Sequence, residues 1–201
     1  MSADISDLSL VRRVQRGDKG AFDALVLKYQ HKLVKLVMRY VRNPAEAEDI
    51  AQAVFVQVFK SASRYQSTAK FSTWLFTIAR NLCLNEIRRR SRHPADSLDA
   101  PHPDQDDQPL QQLEDKKTFS PPETLLHGEL AQNIDRALAD LPENQRSAIL
   151  LCRQDEMSYE EIAEVLGCSV SATKSLIHRG RETLKERLKA YLRTGEWSEP
   201  D

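Results

Sequence analysis

The sequence predicts an all-α fold of two small helical domains, an N-terminal helical bundle and a C-terminal helix-turn-helix domain, joined by a flexible acidic linker. Three observations predict it. Apolar residues recur three and four apart along most of the 201 residues, the spacing of one helix face. That pattern stops over residues 93–122, where Pro94, Pro101, Pro103, Pro109, Pro121 and Pro122 sit among Asp and Gln. It then resumes, and its last stretch is two helices split by a glycine. A structureless segment of that length inside one compact domain is unusual. It is therefore read as a linker, dividing the chain into 1–92, 93–122 and 123–195.

Each element has local support. Ser6 is placed to cap a short helix that turns Leu8, Val11 and Val14 inward and ends near Gly17. A second helix follows Asp18, with Phe22, Leu25, Val26, Tyr29, Leu33, Leu36, Val37, Tyr40 and Val41 on its apolar face. Asn43-Pro44 restarts the chain, Asn43 as cap, Pro44 in the first turn and Glu46 at the capping-box position. The third helix is expected to bury Ile50, Val54, Phe55, Val58 and Phe59. Ser61 to Lys70 reads as a polar loop. Ser72 or Thr73 starts a fourth helix, with Trp74, Leu75, Ile78, Leu82 and Ile87 apolar and an Arg-rich end at Arg88, Arg89, Arg90 and Arg92. Beyond the linker, a helix is expected over 123–139, and Pro142 opens another.

The net charge of −1 conceals a segregated distribution. Residues 1–92 carry 17 Lys+Arg against 8 Asp+Glu, residues 93–126 carry 2 against 8, and residues 170–193 carry 7 against 2. For polyanion binding, such local basic surfaces matter more than the total.

The segment SYEEIAEVLGCSVSATKSLIHRGRETL reads as a helix-turn-helix. Ser158 and Glu161 form a capping box. Ile162, Ala163, Val165 and Leu166 are inward, and small Ala163 permits a close crossing. Gly167 supplies the positive φ of the turn. Ser169 caps the second helix, which buries Val170, Ile177, Leu184 and Leu188. Its other face carries Ser171, Lys174, Ser175, His178 and Arg179, polar groups able to meet phosphates and base edges in a major groove. A plain helical hairpin with a solvated basic face is the simpler alternative.

Two surfaces stand out in the first domain. Glu48, Asp49 and Gln52 lie near the start of the third helix, behind Glu46. Such acidity either favours the helix dipole or forms a docking patch for a basic partner. Tyr65, Phe71, Trp74 and Phe76 lie beside an Arg-rich helix. Aromatics with arginines suit single-stranded DNA, because bases stack while cations hold phosphate. The alternative is that Phe71, Trp74 and Phe76 are core, and Trp74 is expected to be mostly buried.

Four stretches now carry a resemblance: AEAEDIAQAVFVQVFK, FSTWLFTIARNLCLNEIRRR, LPENQRSAILL and YEEIAEVLGCSVSATKSLIHRGR. In this order they resemble sigma-70-type factors of the extracytoplasmic-function (ECF) group. The opening RVQRGDKGAFDALVLKYQHK is similar to its envelope-stress, sigma-E-like members. The resemblance implies a sigma factor that binds core RNA polymerase and directs promoter-specific initiation. Residues 1–92 would be region 2 and residues 123–195 region 4. It implies that Glu48, Asp49 and Gln52 meet the β′ clamp helices and that the β flap is a further contact. The loop from Ser61 to Phe71 would capture a flipped base of the −10 element, with Arg64, Tyr65, Phe71 and Trp74. Arg80, Asn81, Asn85, Arg88 and Arg89 would open and read that element. Ser171, Lys174, Ser175, His178 and Arg179 would read the −35 element. The linker would thread into the polymerase, and an anti-sigma factor would hold the protein inactive. Three positions depart from the family pattern. Ala53 stands where glutamate is usual, Thr173 where an aliphatic residue is usual, and Leu176 where a basic one is usual.

Other classes fit less well. A stand-alone regulator shares the helix-turn-helix, but its sensor half would show an α/β phosphoacceptor or ligand-binding pattern. No Gly-rich phosphate loop or nucleophilic triad spacing is present, so no enzymatic activity and no small-molecule substrate are expected. His31, His93, His102, His127 and His178 lack metal-ligand spacing, so no metal or cofactor is expected. Cys83, Cys152 and Cys168 read as buried thiols of a reducing cytosol. No signal peptide or membrane helix is visible, and a cytoplasmic location is expected. The two domains are expected to be loosely tethered.

Overall fold

The computed structural model describes residues 6–66, 68–92, 121–154 and 157–194, with 121–129 and 190 described by backbone alone. The linker expected over 93–122 therefore lies outside the described residues up to 120. The described residues form eight α-helices and one 3₁₀ turn. These are α1 Asp7–Gln15, α2 Lys19–Val41, α3 Pro44–Ser61, the 3₁₀ turn Ala62–Arg64, α4 Phe71–Arg92, α5 Pro121–Ala139, α6 Glu143–Cys152, α7 Tyr159–Leu166 and α8 Val170–Thr194.

Capping chemistry sets most of the starts. The Ser6 and Asp18 side chains accept from the backbone N–H of Ser9 and Ala21, opening α1 and α2. Asn43 does the same for Glu46, with Pro44 in the first turn of α3. Glu46 itself reaches out to Arg90 of α4. The fourth helix starts at Phe71, one or two residues before the expected Ser72 or Thr73, because the Lys70 carbonyl already accepts from the Trp74 N–H at 3.2 Å.

In the N-terminal half, α2, α3 and α4 pack together and α1 lies against them. Leu33, Leu36 and Val37 of α2 meet Val54 of α3 and Leu75 and Ala79 of α4, all fully buried. The expected burial of Phe59 is overturned: it is 50% exposed. It sits at the edge of the α3 stripe, where one face packs edge-on to Phe22 at 5.0 Å and the other meets solvent. Among the cysteines only Cys83 is buried, and burial pushes its thiol up to about 12. Cys152 and Cys168 are half-buried, because they end α6 and the α7–α8 turn rather than facing a core.

In the C-terminal half, α6, α7 and α8 pack around Ala148, Leu150, Leu151, Ile162 and Ile177, with α5 against α8. Ser158 and Glu161 make the capping box, and Gly167 turns at φ +65°. Val170, Leu184 and Leu188 are half-buried rather than buried, since α8 runs beyond the elements it packs on. Gly180 lies hard against α6: a Cβ there would lie 2.9 Å from Cγ1 of Ile149.

The expectation of loosely tethered halves is not what the structure shows. Helix α7 packs on α4 and α6 reaches α2, and the buried apolar residues of both halves form one connected cluster. A long linker sets only the effective concentration of the two halves and does not prevent complementary faces from meeting.

Candidate nucleic-acid interfaces

The first surface is built on the junction of α3 and α4. Tyr65 follows the 3₁₀ turn, and its hydroxyl donates to the Ala69 carbonyl at 2.6 Å. Its ring lies 4.9 Å from Trp74, tilted by 44°, and both residues are half-buried. Phe71 lies beneath them, 6.4 Å from Tyr65 and 6.0 Å from Trp74. At 3% exposure Phe71 is a core residue, and Phe76 is equally buried. Phe71 therefore supports the two outer rings and does not itself face solvent. A residue not singled out in the sequence holds this turn in place. Gln15 of α1 donates to the carbonyls of Ala62 at 3.0 Å and Tyr65 at 3.1 Å. Nothing in local sequence pairs positions that far apart.

Arg64, Asn81, Asn85, Arg88 and Arg89 are exposed and Arg80 is half-buried. Asn85, Arg88, Arg89 and Arg92 line one shallow concavity. The arginines differ in their partners. Arg89 is held by Glu86 through two bonds of 3.0 and 2.9 Å. Arg90 ties α4 to α3 through Glu46 and to its own helix through Glu86. Arg88 grips Glu143 of α6 with two bonds of 3.2 and 2.7 Å, and Arg80 donates to Asn144 at 2.7 Å.

The second surface is the outer face of α8. Ser171, Lys174, Ser175, His178 and Arg179 are all exposed and line one shallow concavity. Thr173, Ile177 and Gly180 are buried on the opposite side. Ser175 donates back to the Ser171 carbonyl at 3.0 Å, so its proton is used inside the helix. Lys174 lies 5.6 Å above the ring of Tyr159 on α7, a cation–π contact that narrows its reach. The departure at Thr173 has a clear local role. Its hydroxyl donates to the Ser169 carbonyl at 3.1 Å and lies 3.2 Å from the Cys168 sulfur, so a buried polar atom is satisfied within the turn. Leu176 is half-buried against the core.

The third surface is the outer face of α3. Glu48, Asp49, Gln52 and Ala53 are exposed, and Val56 and Phe59 continue the same face at 52% and 50% exposure. Two half-bare apolar side chains thus extend an acidic patch. Sequence reading missed both, because Phe59 fits the buried stripe and Val56 sits about two turns beyond Asp49, the end of the acidic run.

These surfaces define an all-helical protein with an aromatic pair beside an Arg-rich helix in one half and an exposed polar and basic helix face in the other. Comparison with known proteins makes the class specific. The family models for Sigma-70 region 2 and Sigma-70 region 4 match residues 25–93 and 131–184. The RNA polymerase sigma-H factor of Pseudomonas aeruginosa is 39% identical over 191 residues, 93% of this chain and 96% of its own length. The ECF RNA polymerase sigma-E factor of Escherichia coli K12 is 35% identical over 197 residues, 96% of this chain and all of its own. A solved sigma factor of Bartonella quintana, in complex with the anti-sigma factor NepR, superposes with a TM-score of 0.61 at 26% identity. That match covers 84% of this chain and 96% of the other. The chain belongs to the sigma-70 family, in its ECF group, and is a sigma factor that directs promoter-specific transcription initiation.

Proposed function

We propose that the protein docks on core RNA polymerase through α3 and reads a promoter in two places, melting one of them. Its modules are residues 1–92 and 123–195. The observation that carries this reading is the pairing, in one chain, of a stacking surface on α4 with a groove-reading face on α8. Glu48, Asp49 and Gln52 present the acidic docking face to the β′ clamp helices, and Val56 and Phe59 add apolar contact beside it. The β flap contacts the C-terminal module.

Melting requires no change in covalent bonds. It requires surfaces that favour unpaired over paired DNA. Flipping a base costs a few kcal/mol, and stacking on an aromatic side chain returns about 1–3 kcal/mol per base. Tyr65 and Trp74 supply the stacking, Asn81 and Asn85 supply donors and acceptors for base edges, and Arg64, Arg80, Arg88 and Arg89 hold phosphate. Ser171, Lys174, Ser175, His178 and Arg179 read the −35 duplex. Once polymerase fixes their spacing, two modest readers act as one bivalent binder. The chain works in the cytoplasm as a binding subunit without catalysis of its own, and an anti-sigma factor is its natural inhibitor.

Alanine at Tyr65 and Trp74 tests the stacking assignment. Stacking at about 1–3 kcal/mol per base predicts a five- to hundredfold loss in open-complex formation, read by permanganate footprinting, for each substitution. Retained melting by the double variant would remove the assignment.

A further inference from the structure

One charged corner of the protein belongs to none of the three surfaces above. Arg39 lies in the last turn of α2 and Arg42 is its C-cap, Asp135 lies on α5, Arg146 on α6, and Arg153 is the C-cap of α6. Asp135 feels all four guanidiniums, yet burial, the larger effect, holds its carboxyl above the ordinary 3.8. Burial and then repulsion by Arg153 lower Arg39 from its ordinary value, and burial lowers Arg146, with Arg42 pushing the same way. Four guanidiniums thus converge on one carboxylate. Arg39, Arg42 and Arg153 close no side-chain hydrogen bond or ion pair among the described residues. Arg146, 7% exposed, donates to the carbonyls of Arg39 at 2.9 Å and Tyr40 at 2.6 Å, and its guanidinium lies 5.5 Å from the Tyr40 ring centroid. Its buried Nε has no acceptor among the described residues. Arg42 is the one residue besides glycine with a positive φ among the described residues, +62°, at a cap position that Gly or Asn usually fills.

We propose that this corner, where the end of α2 meets α5 and the end of α6, binds a compact oligophosphate, free or carried by a nucleotide. A cation at a helix C-terminus is an ordinary partner of the dipole, but that role needs one charge per end, and here two ends and a helix side bring four together. By taking the carbonyls at the end of α2, Arg146 offsets the partial negative charge that the helix would otherwise turn toward an anion. Guanidiniums present planar forks of donors that match phosphate oxygens. Several at one place suit a ligand with several charges better than a lone carboxylate. Depth favours a small ligand over duplex DNA: Arg42 and Arg153 are exposed at the rim, while Arg39 and Asp135 are half-buried behind them. A duplex backbone would reach the rim only. Asp135 opposes the anion and limits its affinity, so binding stays reversible.

The test titrates the full chain, without DNA or polymerase, with inorganic tripolyphosphate in a calorimeter, and with sulfate at matched ionic strength. Wild type is compared with Arg42→Gln/Arg153→Gln, which alters only exposed side chains, with Asp135→Asn, and with Lys174→Gln/Arg179→Gln on the basic face of α8. Circular dichroism confirms that each is folded. The expected result is one tripolyphosphate per wild-type chain, with sulfate bound far more weakly. A hydrogen bond to a charged group is worth about 1.5–3 kcal/mol, so each guanidinium removed is expected to weaken binding about tenfold or more. Asp135→Asn is expected to tighten binding, and the α8 variant to bind as wild type does. ATP and GTP then separate the two sources: binding tighter than tripolyphosphate assigns a nucleotide, and equal or weaker binding assigns the free oligophosphate. Absence of one-to-one binding would overturn the proposal. So would binding that survives Arg42→Gln/Arg153→Gln, or that is lost in the α8 variant. If a scrambled DNA duplex displaces tripolyphosphate at equal phosphate concentration, the corner is a backbone contact and the compact-anion assignment fails.

Discussion

Gln15 carries weight that its position in α1 does not announce. Its amide satisfies two carbonyls of the turn that presents Tyr65. A net hydrogen bond is worth about 1 kcal/mol, so Gln15→Ala is expected to cost about 1–2 kcal/mol in urea unfolding and to weaken strand capture. Unchanged stability would show that water replaces the amide without loss. Local rules made the caps legible: Ser6, Asp18, Asn43, Ser158 and Ser169 all cap as their residue types predict. The same rules misjudged Phe59, because periodicity fixes a direction on the helix but not where the neighbouring helix ends. Gln15 and Arg146 were illegible for another reason. Their partners are backbone carbonyls distant in sequence, and a carbonyl has no side-chain identity to read.

At the scale of the element, the helix-turn-helix was the most legible part of the chain, since every device in it is local. The capping box opens α7 and Gly167 closes it in the left-handed region. Replacing Ser158 by Ala is expected to cost about 1 kcal/mol, the ordinary worth of an N-cap, read as a lowered Tm. Gly180 is the less obvious case. Alanine would gain up to about 1 kcal/mol in helix propensity. Its Cβ would, however, meet Ile149 Cγ1 at 2.9 Å, a methylene next to the branch point of a core side chain rather than a free chain end. Overpacking of this kind costs about 1–3 kcal/mol, so Gly180→Ala is expected to destabilise despite the better helix former. A raised Tm would mean that α6 and α8 separate more easily than their packing suggests. The sequence leaves open whether the four aromatics beside α4 form a surface or core, and the structure divides them: Tyr65 and Trp74 are half-buried outer rings, Phe71 lies beneath them, and Phe76 is core. Alternation between core and surface at a helix start cannot be told from composition alone.

For the whole molecule, the two-module architecture was legible from periodicity and proline distribution, but the docking of the modules was not. The halves meet through the buried Arg146, whose acceptors are backbone carbonyls, and through pairs such as Arg88–Glu143 and Lys70–Glu161, whose members lie far apart in the chain and look like solvated charges. Their titration gives the contact between the two halves a pH dependence. Arg88 bonding holds the Glu143 carboxyl below its ordinary 4.5. At Glu161 burial pushes upward, but Lys70 and the Ser158 N–H pull further downward. A carboxyl lowered on docking contributes above its ordinary value and loses that contribution as pH falls through the lowered one. Asp135, raised by burial, acts in the opposite sense, one group against two. Scattering is therefore expected to show opening as pH drops below about 4.5, in keeping with that linkage, and compaction on acidification would contradict these pairings.

The most direct measurement is run-off transcription by purified core polymerase lacking other sigma factors, with and without this protein, on a pool of genomic promoters. Defined start sites that require the protein, sharing one element near −10 and another near −35, are the predicted result. Loss of those starts on Glu48→Lys/Asp49→Lys substitution would tie them to the α3 docking face. Failure to initiate at any site, together with failure to co-elute with core polymerase, would contradict the account and leave only a DNA-binding helix-turn-helix in need of another role.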